Sequence, residues 1–153
     1  MDISTIRNSL FLSILTLALS TSQVFSEPDT KITEPLELQL IMQEMDKNMQ
    51  IITHAISRED WEQVEKTAPL IANHPKPPMS EMKKVIAYMG KNMPKFKAYD
   101  IATHKAATQL EIAAESKEGG DVISTFSVLQ NSCLACHQQF RKPFQQHFYS
   151  TLN

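Results

Sequence analysis

With 153 residues, 15 Lys and Arg against 17 Asp and Glu, the chain has room for one domain and carries a formal charge of −2. That balance excludes a surface built to track nucleic acid, and nothing after residue 26 is long and apolar enough to enter a bilayer. Three glycines in all, and no alternating run of β-branched residues, point to an all-α protein.

The first 26 residues stand apart. Arg7 supplies a positive start, Leu10 to Leu19 is a short apolar run, and Val24-Phe25-Ser26 offers small positions before a cut. The pattern predicts a cleaved secretory signal peptide over 1–26, too short and wrongly flanked for a membrane span. A domain over 27–153 follows, exported to the periplasm. Its polar beginning, Glu27 to Thr33, leads to a first helix near Glu34-Pro35, since proline is accepted in a first turn. Leu38, Met42, Met45, Met49, Ile52 and Ile56 recur at 4-3-4-3-4 and predict that helix over 35–57.

A second helix is expected from Asp60 to Asn73, with Trp61, Val64, Ala68 and Ile71 inward and Pro69 as a point of kinking or shortening. His74-Pro75-Lys76-Pro77-Pro78 breaks it into extended geometry. The connection over 74–95 contains a predicted short helix, Ser80 to Gly90. A third main helix is predicted over 94–117, stopped by Gly119-Gly120. The fourth opens with Asp121 as cap, carries Val122, Phe126, Leu129, Cys133, Cys136 and Phe140 inward, and is expected to end or bend near Lys142 because of Pro143. Four stripes with short first and third connections predict an antiparallel up-down-up-down four-helix bundle.

The core stripe of the last helix runs through Cys133-Leu134-Ala135-Cys136-His137. Two cysteines two residues apart, followed at once by histidine, are the attachment signature of a c-type haem. Each thiol adds to a vinyl group of the macrocycle and the imidazole binds the iron. On a helix, Cys136 lies about 60° to one side of Cys133 and His137 about 40° to the other, so all three face one sector. Zinc would need a second ligand pair, and a thioredoxin-like redox pair would sit beside a βαβ pattern; neither is present in the sequence. The reading is covalent haem c, one per chain, with its iron held proximally by His137.

The ligand on the other face of the iron decides the function, because an open face binds gases whereas two strong ligands favour electron transfer. No methionine follows Met93, so a thioether ligand must come from Met42, Met45, Met49, Met79, Met82, Met89 or Met93. A methionine stripe on a helix is otherwise ordinary core filling.

An exported helical chain with Cys-x-x-Cys-His near its end, continuing Gln138-Gln139-Phe140-Arg141-Lys142, resembles the class II cytochromes c, the cytochrome c′ family. The resemblance implies a four-helix bundle with haem on the last helix and Arg141 as a haem-edge contact. It also implies a first-helix residue over the iron: apolar in high-spin, gas-binding members and methionine in low-spin carriers. Ile41 to Met49 is similar to the low-spin pattern, which implies Met42 as distal ligand. The family's basic residue one turn earlier, near the haem propionates, is replaced by Leu38, so propionate partners are expected among Lys or Arg of 76–105. The expected function is an exported electron carrier without substrate turnover, meeting a redox partner protein through an exposed haem edge. The alternative is a five-coordinate protein binding nitric oxide or carbon monoxide. The resemblance is also compatible with a homodimer paired through helices one and two.

The remaining histidines are expected at the surface: His54, His74 in the proline segment, and His147 in the tail. His104 has some prospect of reaching a propionate or the iron. Trp61 and Phe96 read as core, and Glu62/Lys66 and Glu81 with Lys83/Lys84 as solvated helix faces.

Overall fold

The computed structural model describes residues 36–149. The signal-peptide expectation over 1–26 and the helix start at Glu34-Pro35 lie outside them. Each apolar stripe forms a helix: α1 (Glu37–Ile56), α2 (Trp61–Ala72), α3 (Met79–Met89), α4 (Met93–Ser116) and α5 (Gly119–Tyr149), with a 3₁₀ turn over Gly90–Asn92 before α4. Helices α1, α2, α4 and α5 form the antiparallel bundle and α3 lies in the long connection. Among the described residues there is no strand, and no helix is long and apolar enough to cross a membrane.

Local chemistry accounts for most boundaries. The Asp60 carboxylate accepts from the Gln63 amide at 3.2 Å and starts α2 where the sequence places it. Pro69 costs α2 one backbone bond but falls within its last turn, and the helix continues to Ala72. Residues 74–78 form no helix or strand and end in Pro78, whose φ −53° and ψ 151° are polyproline-like.

Three expectations are corrected. Gly119-Gly120 does not stop α4: Lys117 takes the left-handed turn at φ 59°, and the glycines open α5, so Asp121 lies within its first turn instead of capping it. Gly119 lets α5 approach α2 closely, since a Cβ there would sit 3.3 Å from the Trp61 ring, tighter than ordinary contact. Pro143 does not end α5, which continues to Tyr149. The carbonyl that Pro143 leaves without a donor belongs to Gln139, which is exposed to water, while Phe144 beyond it is buried. Glu81 is not on a solvated face. It is buried, and its carboxylate accepts from the amides of Glu37 at 2.7 Å and Leu38 at 2.8 Å. An acidic side chain from α3 thus caps the first turn of α1, where the helix dipole favours negative charge.

The core has two parts. Ile52, Val64, Ile71, Leu110, Val122 and Leu129 are fully buried among α1, α2, α4 and α5. Burial of each such side chain contributes about 1.5–3 kcal/mol. A second cluster gathers Val85 and Met89 of α3 around Phe140 and Phe144 of α5. Phe140 meets Phe96 and Tyr99 edge-on, with ring centroids 5.5 and 6.0 Å apart. Helix α2 packs closely on α1 and α4, and α4 on α5, but α1 and α5 scarcely touch.

Candidate functional site

The gap between α1 and α5 is a cleft of about 510 Å³, within the range of small-molecule sites. Its α1 wall carries Met42, Met45 and Met49, and its α5 wall carries Cys133, Cys136 and His137. The helical period that put each trio on one face in sequence brings both to one cavity. Cys133 packs on the larger core cluster and Cys136 on the aromatic one, so the Cys-x-x-Cys pair straddles the seam between them.

The three methionines differ in their surroundings. Met45 and Met49 are half-buried against the larger cluster. Met42 keeps 38% of its surface exposed and belongs to neither cluster.

The two thiols form no disulfide and are half-buried. Burial raises the pKa of Cys133 and pushes that of Cys136 up to about 11, with the neighbouring Cys133 adding to the shift. They are therefore neutral S–H groups at ordinary pH rather than the thiolates of a reactive redox pair. His137 is exposed at the cleft, yet partial desolvation lowers its pKa, helped by the Arg141 guanidinium, which favours the neutral imidazole that can ligate a metal. Among the described residues no three His, Cys, Asp or Glu side chains converge on a bare ion.

Other expectations resolve as follows. Arg141 lines the cleft, whereas among the described residues no lysine of 76–105 does. Leu38 lines it too, at the position where a basic residue was looked for. His74 is not a plain surface residue: it lines the cleft and its Nε2 bonds Asp100 Oδ1 at 3.1 Å. That hydrogen bond raises the His74 pKa and lowers that of Asp100. His104 does not reach the cleft. Its Nδ1 donates to the Ala72 carbonyl at 2.7 Å and closes the end of α2. His54 and His147 are exposed, and His147 stacks on Tyr88 with ring centroids 4.2 Å apart.

Gln39 and Tyr149, to which the sequence motifs assign no role at the haem, also line the cleft. Gln39 Oε1 and the Tyr149 hydroxyl are buried and, among the described residues, without a hydrogen-bond partner. The walls are otherwise mostly apolar. Together they fit a flat, largely apolar group with a polar edge: sulfurs for tethering, an imidazole and a thioether as iron ligands, and polar atoms left for the edge.

A family model described as Cytochrome C' matches residues 37–141, from the first residue of α1 to Arg141. Comparison with curated protein sequences gave no match.

Proposed function

Because the chain belongs to the cytochrome c′ family and binds covalent haem c with iron, we propose that it is an electron carrier with six-coordinate iron, ligated by His137 and Met42. Haem iron, when bound, supplies one-electron chemistry between Fe(III) and Fe(II). The chain's part is to hold, orient and tune it. Cys133 and Cys136 would each add S–H across a vinyl group, forming a thioether with no net redox change. His137, kept neutral by its surroundings, would bind the proximal face. Met42 would bind the distal face, and a soft thioether there favours Fe(II) over the ferric state relative to a second imidazole. Arg141, on the same wall, would lie at the haem edge.

One observation carries the choice of Met42. It is the methionine on the α1 wall that neither core cluster uses, whereas Met45 and Met49 are engaged in packing. Residues 1–26 complete the reading as a cleaved signal peptide that delivers the chain to the periplasm, where haem is attached and a redox partner protein meets the haem edge.

The test is the optical spectrum of the ferrous protein before and after carbon monoxide. The native protein should resist the gas, and Met42→Ala should take it up rapidly and completely. Rapid uptake by the native protein would instead indicate an open distal face and a gas-binding role. An unchanged spectrum in the variant would remove Met42 from the iron.

A further inference from the structure

The last turns of α5, after Arg141, lie beyond the family match, yet Phe144 and Tyr149 from them line the cleft. This tail is held in place by aromatic packing: Phe144 meets Tyr88 edge-on at 5.9 Å and lies 4.5 Å from Phe148. Tyr149 packs on the same cluster as Leu36 and Leu38 and lies near Glu81, which bonds the first amides of α1. Gln39 follows Leu38 along α1 and lines the cleft as well. The two buried polar atoms without a partner among the described residues, Tyr149 Oη and Gln39 Oε1, thus both belong to residues of the cleft wall. A buried hydroxyl left unpaired is costly, because its lost hydrogen bonds to water are not replaced. Glu81, the neighbouring carboxylate, already accepts two amides of α1.

A tethered haem brings its own carboxylates, two propionates on the edge of an otherwise apolar ring. We propose that Tyr149 donates a hydrogen bond to one of these carboxylates, with the Gln39 amide as a second donor beside it. A half-turn of that amide exchanges its acceptor oxygen for its NH₂ group, a donor. The tail of α5 thus provides neutral hydrogen-bond donors where Leu38 provides no charge. This inference rests on the haem site proposed above.

The experiment uses the full chain matured with haem and the variant Tyr149→Phe, which keeps the ring packing and removes only the hydroxyl. Redox-triggered infrared difference spectra read the propionate carboxylate bands, and a potentiometric titration at neutral pH reads the midpoint potential. The expected result is a shifted carboxylate band and a lower midpoint potential, because a carboxylate with less hydrogen bonding leaves more negative charge beside the iron and favours Fe(III). Carboxylate bands and potential identical to the native protein would overturn the proposal. A pyridine haemochrome spectrum of the same samples reports the thioether attachment independently. Failure of the haem site would therefore be seen as a lost c-type spectrum, and failure of the Tyr149 assignment as an intact one with unmoved bands.

Discussion

Single side chains in this protein are distinguished by what surrounds them more than by their type. Five histidines are present, and the surroundings of two are set by one neighbour each: Asp100 for His74 and the Ala72 carbonyl for His104. The His74–Asp100 pair gives a pH-dependent stability. The folded His74 pKa is raised above the unfolded value of 6.5, so its contribution is full below pH 6.5 and lost as pH rises through the folded value. The folded Asp100 pKa lies below 3.8, so its contribution is full above pH 3.8 and lost as pH falls through the folded value. The pair therefore contributes most between those limits. Because the Asp100 side chain is 56% exposed, the gain is under about 1 kcal/mol. Denaturant midpoints of the haem protein should show Asp100→Asn more destabilising at pH 5 than at pH 9. An equal loss at both would mean the pair does not form.

At the scale of elements, the apolar periodicity of α1, α2, α4 and α5 was legible in sequence because it is local: Ile52, Val64, Leu110 and Leu129 each sit on a stripe of their own helix and are buried. The Cys133-Cys136-His137 trio was legible for the same reason. Glu81 was not, because its partners lie 43 and 44 residues away and its neighbours Lys83 and Lys84 mimic a solvated face. Tyr149 was hidden twice. Pro143 argued for a helix end before it, and on an ideal helix it lies about 180° from Phe140, off the stripe that marks the inner face. His74 was not legible either, because a proline segment suggests surface and its partner Asp100 lies 26 residues away on α4. The Glu81 cap makes a prediction of its own. Glu81→Ala should lower stability by about 2 kcal/mol, the scale of a lost cap with two charge-assisted bonds. Glu81→Gln should lose less, since its amide oxygen can still accept. Thermal or denaturant unfolding measures both, and a neutral Glu81→Ala would mean that α3 does not cap α1.

Across the whole molecule, the bundle is tight on three sides and open on the fourth. Helix α2 binds α1 and α4, and α4 binds α5, while α1 and α5 face each other across the cleft that also divides the core in two. A group tethered to α5 and ligated from α1 would span that open side, so one coordination bond would serve both chemistry and packing. On the proposed reading, redox behaviour would depend on bundle integrity, and electrons would pass at the exposed mouth, where Met42 and Arg141 meet solvent.

Iron K-edge X-ray absorption of the untreated protein tests that bond most directly. The account predicts a sulfur scatterer at bonding distance beside the nitrogen shell, in both oxidation states, and its loss in Met42→Ala. A first shell of nitrogen alone, or of nitrogen and oxygen, in the native protein would contradict it.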